Sequence, residues 1–459
     1  MIEKLLYPEI KELVEAQDFA TLREIFPVWP PVDLAALIVR LPEHEQTPVF
    51  RAVPQELAAA TFEYFDLAAQ QRLLKALSQD EVASILNGMS PDDRTALLEE
   101  VPGPVATQLL ALLSPEHRAI AQSLLAYGKD SVGRLMTPDY VAVKKEWTVK
   151  QVLDHIRTHG KDSETLNVIY VVDEKHTLID DIRIREFLLA PLQVNVSDIM
   201  DNQFVTLVVT DDKKTAVPVF RKYDRTALPV VDLQGVLVGI VTIDDVLDVA
   251  EREATKEMQK FGGLEALDEP YITMPLWAMV KKRASWLVIL FLSEMLTATA
   301  MSFFEAEIAK AVVLALFVPL IISSGGNSGS QAATLIIRAL ALGEVRLRDW
   351  WRVMRREVYS GLFLGFILGT IGFLRIAVWS LFSNIYGPHW PLIGLTVGLS
   401  LVGIVLWGTL SGSMLPFILK RVGADPATSS APFVATLVDV TGLIIYFTVA
   451  VVVLRGTLL

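Results

Sequence analysis

Two carboxylates interrupt the apolar segments in the C-terminal part of the chain. Glu294 lies in the middle of one such segment, and Asp439 lies near the middle of the last one. An ionisable side chain is expensive within a bilayer and usually faces a partner helix or water. Each carboxyl therefore indicates either a hydrogen bond between helices or a role in ion passage. Around Asp439, the small residues Ala435 and Gly442 favour ion passage.

A second polar stretch, residues 323–331, interrupts another apolar segment with three glycines and several hydroxyl and amide side chains. Two interpretations are open. The small residues could allow close helix packing, or the stretch could form a pore-lining bend that offers oxygen ligands at Gly325, Gly326 and Asn327. Oxygen donors without cysteine, and without histidine in these segments, suit a hard cation such as Mg²⁺.

Five segments are long and apolar enough to cross a bilayer, since a spanning helix needs about 20 mostly apolar residues. We expect them at residues 284–304, 311–337, 358–382, 391–419 and 427–454. Basic residues collect before the first, between the second and third and after the fourth, which predicts a cytoplasmic N-terminus and an outer C-terminus of a multi-pass plasma-membrane protein. The first residues lack a long apolar core, so we expect no signal peptide.

The charge of the chain changes sign between its two parts. Residues 1–270 hold 45 acidic and 27 basic side chains, whereas the remainder holds 8 acidic and 14 basic ones, within an overall net charge of −12. A strongly acidic soluble part makes nucleic acid an unsuitable partner and cations suitable ones. The absence of cysteine excludes disulfides, thiolate metal sites and cysteine nucleophiles.

Residues 1–130 show an internal period of helical units. Proline or a cap-type residue recurs about every 12 residues and is followed by apolar residues at helical spacing, which predicts an all-α superhelical domain. Asp92 and Asp93 follow one such cap. They indicate either ordinary first-turn acids that favour the helix dipole or a contact with a cation.

Residues 131–250 alternate short strands with helices. The apolar run 168–172 is typical of a buried strand, and 227–247 predicts two strands joined by a turn at Gln234-Gly235 and followed by a helix.

This part resembles a pair of cystathionine-β-synthase (CBS) domains. The matching segments are residues 132–138, 198–200 and 228–245. In the first copy, residues 178–185 lack the glycine that precedes the strand in the pattern. The resemblance implies that Thr242 and Asp245 hold an adenosine ribose, which makes ATP a candidate cofactor.

A long amphipathic helix follows and leads towards the first apolar segment. Asp245, Asp248, Glu253 and Glu257 fall at helical spacings along it. A solvated helix face is one explanation. The other is a surface that packs against further acidic surface only when counterions are present, because like charges repel.

Taken together, the chain resembles the MgtE family of magnesium transporters. Three motifs carry the resemblance: residues 241–248, residues 325–331 and residues 437–442. The order of the domains along the chain also matches that of the family. The resemblance implies a homodimeric Mg²⁺ channel in a lipid bilayer, with the helical N domain at 1–130, tandem CBS domains at 131–250, a connecting plug helix and linker at 244–280 and a five-span pore domain at 281–459.

The resemblance also assigns residues. It implies pore positions at Asp439 and Ala435, beside the motif residues Gly325, Gly326 and Asn327, whereas Glu294 is a candidate pore residue from its mid-segment position alone. It implies regulatory cation contacts at Asp92 or Asp93, Asp212, Asp224, Asp245, Asp248, Glu253 and Glu257. Lys214 and Lys256 stand where some relatives are acidic. The sequence leaves the choice among Mg²⁺, Co²⁺, Mn²⁺ and Ni²⁺ open.

Three functional hypotheses follow. The first is a Mg²⁺ channel closed by cytosolic Mg²⁺ that bridges the acidic surfaces. The second is a transporter that couples cation movement to another ion, with Glu294 as a proton carrier. The third is a cation channel controlled by nucleotide at the CBS pair. No enzyme is expected, since no phosphate-binding loop, nucleophile–base set or metal-hydrolase spacing occurs in the sequence.

Overall fold

The structure is a computed structural model that describes residues 2–267, 271 and 274–458. The chain forms two compact units, Met1–Arg252 and Glu253–Leu459. The predicted linker after the connecting helix includes residues 268–270, 272 and 273, which lie outside the described residues.

The first unit begins with ten helices in succession, as the 12-residue period predicts. Their bounds are α1 (Ile2–Glu15), α2 (Phe19–Ile25), α3 (Pro31–Arg40), α4 (Glu43–Phe50), α5 (Gln55–Glu63), α6 (Leu67–Ala76), α7 (Gln79–Gly88), α8 (Pro91–Glu100), α9 (Gly103–Leu112) and α10 (Pro115–Leu125). Several of these helices begin at a capping residue whose side chain accepts a hydrogen bond from a backbone amide of the first turn. Examples are Asp66, Ser78 and Ser114. These bonds satisfy amide groups that a helix leaves unpaired at its start.

Two α/β repeats of equal topology follow the helical domain. The first comprises α11 (Val132–Leu135), β1 (Ala142–Lys144), α12 (Val149–His159), β2 (Val168–Val172), β3 (Leu178–Arg183) and α13 (Ile184–Leu189). The second comprises β4 (Leu207–Val208), α14 (Ala216–Tyr223), β5 (Ala227–Val231), β6 (Leu237–Thr242) and α15 (Ile243–Phe261). Each sheet pairs its first two strands in parallel and its last two antiparallel. The predicted strand at 168–172 is confirmed.

The two repeats differ at one glycine. Their strand registers match position by position, and Asp180 of the first repeat stands where the second has Gly239. A Cβ at Gly239 would lie 2.8 Å from the carbonyl oxygen of Thr137, so the close approach of the backbone there requires glycine. In the first repeat the Asp180 carboxylate instead accepts the amides of Asp201 and Asn202, each at 3.0 Å.

The second unit contains five helices long and apolar enough to cross a membrane, which confirms the predicted number of spans within the described residues. The α-helices of this unit after α15 are the five spanning helices α16 (Leu276–Phe303), α18 (Val318–Ala341), α19 (Trp350–Phe382), α20 (Trp390–Arg421) and α21 (Ala431–Leu454), together with the six-residue α17 (Glu305–Lys310). The short α17 connects the first two spans. Pro416 lies inside α20, whereas Pro319 and Pro432 lie in the first turns of their helices, where the missing N–H costs nothing.

Glycines bring α18, α19 and α20 into backbone contact. A Cβ at Gly412 of α20 would lie 2.0 Å from the carbonyl oxygen of Gly329 in α18. On the other side of α20, a Cβ at Gly369 of α19 would lie 2.7 Å from the carbonyl oxygen of Gly398. Small residues at helix interfaces allow this close packing in membranes.

We expect Gly412→Ala to destabilise the membrane unit by at least about 3 kcal/mol, because the new methyl group meets a backbone oxygen that cannot rotate away. Gly442→Ala is the matched control, since its Cβ would be 3.4 Å from a side-chain atom of Ile404. The thermal unfolding midpoint in detergent measures both changes. Equal midpoints for the two variants would contradict the packing account.

Candidate ion site and regulatory acidic cluster

Asp439 faces a glycine of a neighbouring span. It is the ninth residue of α21, about 12 Å from the start of that helix at 1.5 Å per residue. Gly326 of α18 lies opposite, where a Cβ would be 3.3 Å from both Asp439 Oδ1 and Ala435 Cβ. The structure therefore brings three of the predicted pore residues together, and the glycine leaves the carboxylate room beside the α18 backbone.

Of the two interpretations of residues 323–331, the bend is wrong, because α18 is continuous through them. Gly325 packs against Ile404 and Val438, where a Cβ would lie 2.5 and 2.7 Å from their side chains. Ser328 donates its hydroxyl hydrogen to the carbonyl of Gly325 at 2.9 Å. Close packing and local hydroxyl bonds thus account for the small polar residues, and the backbone oxygens stay within the helix.

The remaining predicted pore residues lie on exposed helix faces of this single chain. Asn327 donates to Ser323 Oγ at 3.3 Å on the exposed side of α18. Glu294 is exposed on α16, and its charge acts on Asp439. A polar stripe and a carboxylate on faces at membrane depth are costly unless another surface or water covers them.

In the first unit, an acidic cluster forms where α8, the first repeat and the start of α15 meet. Asp93 of α8 interacts with Asp244 and Asp248 of α15, and Asp245 interacts with Asp92. Glu63 of α5 and Glu164, which the sequence did not single out, act on the same groups. Nothing in their spacing along the chain could have indicated this, since the fold alone brings them together.

Burial makes the ionised forms of several of these carboxyls unfavourable in the folded protein. It raises the pKa of Glu63 to about 7 and, with the charge of Asp92 as a second cause, raises the pKa of Asp245 to about 9. Burial also raises the pKa of Asp92, and Asp92 Oδ1 makes no hydrogen bond within the described part of the chain. Packing carboxylates together in this way is costly unless protons or cations neutralise them.

The donor set suits Mg²⁺, which prefers carboxylate oxygens and retains several of its waters. Among the described residues, no three His, Cys, Asp or Glu side chains are placed to ligate one ion. A cation at the cluster would therefore be held largely through its waters, with the unpartnered Asp92 Oδ1 as one acceptor.

Other predicted regulatory residues lie on separate elements. Asp212 accepts the amide of Lys214 at 2.9 Å at the start of a short helical turn, and Asp224 ends α14 in a left-handed conformation with φ 49°. In the second unit, Glu253 pairs with Lys256 at 3.0 Å, and Glu257 lines a cavity of about 140 Å³ together with Lys420 and Asp425.

The end of α15 is fastened within the second unit by contacts that the sequence did not predict. Lys260 Nζ lies 2.7 Å from Asp425 Oδ2, in the loop before α21. Gly263, with φ 73°, packs against Trp286, and Trp286 Nε1 donates to Ser430 Oγ at 3.2 Å. The pairing of Lys260 with Asp425, 165 residues away, could not be read from the sequence.

The two residues that the CBS resemblance assigns to ribose binding, Thr242 and Asp245, form a hydrogen bond with each other. Thr242 donates its hydroxyl hydrogen to Asp245 Oδ2 at 2.7 Å, and Asp245 lies in the acidic cluster.

Known proteins resemble every part of this architecture. A family model described as a divalent cation transporter matches residues 318–449, and one described as the MgtE intracellular N domain matches residues 29–130. CBS domain models match residues 132–192 and 196–252. The magnesium transporter MgtE of Thermus thermophilus is 40% identical over 452 residues, which is 98% of each chain. The chain belongs to the MgtE family of magnesium transporters.

Further relatives agree with this membership. The magnesium transporter MgtE of Bacillus subtilis is 28% identical over 98% of each chain. The crystal structure of the cytosolic domain of the Mg²⁺ channel MgtE in complex with ATP is 36% identical, with a TM-score of 0.51, and covers 53% of this chain and 100% of that chain. The predicted architecture of the MgtE family, a helical N domain, a CBS pair and five spans, is confirmed.

Proposed function

We propose that the protein is a magnesium-uptake channel whose ion path passes Asp439. The observation that carries the proposal is the position of this carboxylate opposite Gly326, inside the region that the divalent cation transporter model matches. Relatives named as magnesium transporters support Mg²⁺ as the ion. A carboxylate can hold Mg²⁺ through its waters, and uptake would be driven by about 4.6 kcal/mol per divalent ion per 100 mV. The role is transport rather than catalysis.

A homodimer would complete this path. Asn327 and Ser323 form an exposed polar stripe on α18, and Glu294 is exposed on α16. A second copy would cover faces that are costly against lipid and would place two Asp439 carboxylates around one ion. Ala435, Gly325 and Gly326 would then help to shape the path.

The arrangement in the membrane follows from the loop charges. We assign residues 1–130, 131–250 and 244–280 to the cytoplasm as the N domain, CBS pair and connecting plug segment, and residues 281–459 to the plasma membrane. Arginines between α18 and α19 favour the cytoplasmic side for that loop. The C-terminus would then lie outside.

Negative feedback is the regulation that the acidic cluster supports. At high cytosolic Mg²⁺, ions neutralise Asp92, Asp93 and Asp245 and keep the surfaces together, whereas at low Mg²⁺ the carboxylates repel. A change from mostly open to mostly shut needs about 5.5 kcal/mol, so several weak sites must act together. Further proposed contacts are Asp212, Asp224, Asp248, Glu253 and Glu257.

ATP is the nucleotide proposed for the CBS pair, because a relative's cytosolic domain was solved with ATP bound. The bond between Thr242 and Asp245 within the cluster implies that a ribose could reach these two residues only after the cluster separates.

The test is Mg²⁺ flux into vesicles that contain the purified chain, measured at a series of Mg²⁺ concentrations on the cytoplasmic side. We expect flux to fall as cytoplasmic Mg²⁺ rises, and we expect a paired Asp92→Asn and Asp245→Asn variant to lose most of that inhibition. If the flux through the unaltered protein does not change with the cytoplasmic Mg²⁺ concentration, the feedback proposal is refuted, whereas the channel proposal still stands.

A second candidate is an ion-coupled transporter, which the electrostatic interaction of Glu294 with Asp439 favours. In that case flux should depend on a proton gradient and should be lost in Glu294→Gln. Mg²⁺ flux that persists without a proton gradient would rule this candidate out.

A further inference from the structure

Two histidines on one helix of the first CBS repeat lie side by side. His155 and His159 are four residues apart on α12 and therefore share a face of the helix. Their ring centroids are 4.4 Å apart, and the ring planes are inclined by 30°. Two of the six histidines of the chain are thus stacked on one short surface.

The surroundings leave this pair suited to bind a metal. His159 Nδ1 lies 3.4 Å from the carbonyl oxygen of His155. If Nδ1 carries the hydrogen and directs it at that oxygen, the lone pair is on Nε2, which is the arrangement common among metal-ligating histidines. Trp147 packs edge-on against the His155 ring at 5.1 Å between centroids and restricts its orientation. Burial and the neighbouring His159 lower the pKa of His155, a direction that favours the neutral form of the ring.

The chemistry of the pair differs from that of the acidic cluster. Imidazole nitrogens bind late first-row divalent cations at about 2.0–2.1 Å, as in Zn²⁺ sites, whereas Mg²⁺ prefers oxygen. In the stacked arrangement the nitrogen lone pairs lie in the ring planes, which are inclined by only 30°, so each imidazole must turn about its side-chain bonds to direct a nitrogen at a shared ion. Since no third His, Cys, Asp or Glu joins them among the described residues, waters would complete the coordination.

We infer that His155 and His159 form a two-imidazole site for a late first-row divalent cation of the Zn²⁺, Ni²⁺ and Co²⁺ class. The site would let the CBS repeat respond to a cation that the carboxylate surfaces do not select. The inference is independent of the proposed Mg²⁺ conduction, since it concerns residues that neither the ion path nor the feedback cluster uses.

Equilibrium dialysis of Ni²⁺ against the full chain tests the site. The protein carries a tag without histidine, and excess Mg²⁺ is present to occupy the carboxylates. We expect saturable binding of one Ni²⁺ per chain, with affinity at least about tenfold lower in His159→Asn, because one of two nitrogen ligands is lost. His44→Asn removes an exposed histidine of α4 and should bind as the unaltered chain does.

Electron paramagnetic resonance of bound Cu²⁺ gives a second readout. Nitrogen splittings should indicate two imidazole ligands in the unaltered chain and one in His159→Asn, while the unfolding midpoint in Mg²⁺ stays the same in both. Equal Ni²⁺ affinity in His159→Asn and His44→Asn, or a Cu²⁺ spectrum with oxygen ligands only, would overturn the inference.

Discussion

Replacing Asp439 with alanine should reduce Mg²⁺ flux at least about tenfold. At roughly 5 Å and an effective dielectric constant of about 20, a carboxylate and a divalent cation interact by several kcal/mol. Without that interaction the ion must shed or compress its hydration shell at membrane depth with no compensating charge. The measurement is initial Mg²⁺ uptake into vesicles at equal protein content.

Two variants separate charge from shape at this site. Asp439→Asn keeps the volume and removes the charge, so it should lose nearly as much flux as the alanine variant. Gly326→Ala keeps the charge but places a methyl group 3.3 Å from Asp439 Oδ1, so it should reduce flux less. Unchanged flux in Asp439→Asn would show that the ion path does not depend on this carboxylate.

Raising the pH from about 5 to about 8 without divalent cations should lower the stability of the first unit. Addition of Mg²⁺ at the higher pH should restore that stability. A carboxyl with a raised pKa binds its proton more tightly in the folded protein than in the unfolded one. Its favourable contribution is therefore present at low pH and is lost as the pH rises from the unfolded value near 4 towards the folded value. For Glu63 and Asp245 those folded pKa values are about 7 and about 9.

The charged groups concerned come from every element at the cluster. They are Glu63, Asp92, Asp93 and Arg94 of the helical domain, Asp139 and Glu164 of the first repeat, and Asp244, Asp245 and Asp248 at the start of α15. All but Arg94 are acids, so repulsion grows as they ionise.

Thermal unfolding of the full chain in chelator measures this effect. A loss of 1 kcal/mol lowers the midpoint by about 2–4 °C in a unit of this size, and we expect a fall of at least about 5 °C between pH 5 and pH 8. Asp245→Asn should flatten the dependence, whereas Asp80→Asn, at an exposed position in the first turn of α7, should not. A midpoint in chelator that rises with pH would contradict the account.

Patterns that act locally were predictable from the sequence. The five spans follow from runs of apolar residues, and the helical units follow from a cap or proline every 12 residues. The strand at residues 168–172 follows from its apolar run. In each case the information lies within one element, where periodicity and capping decide the structure.

Contacts between distant residues were not predictable. Residues 323–331 appeared to break a helix, but their glycines face α20 and α21, and only the tertiary contacts show that they serve packing. Likewise, the pairing of Lys260 with Asp425 and the approach of Glu63 to Asp92 depend on the fold. Resemblance to a known motif singled out a residue in advance only where that residue belongs to the motif, as Asp439 does.

The glycine contacts of α18, α19 and α20 limit how the membrane unit can move. Interfaces made of interlocking side chains can adopt alternative rotamers, whereas backbone laid on backbone, as at Gly412 and Gly329, has a single register. We therefore expect these three helices to keep their positions relative to one another. In the proposed channel, we therefore expect a displacement that opens or closes the ion path to involve α16 and α21, the helices that hold Glu294 and Asp439.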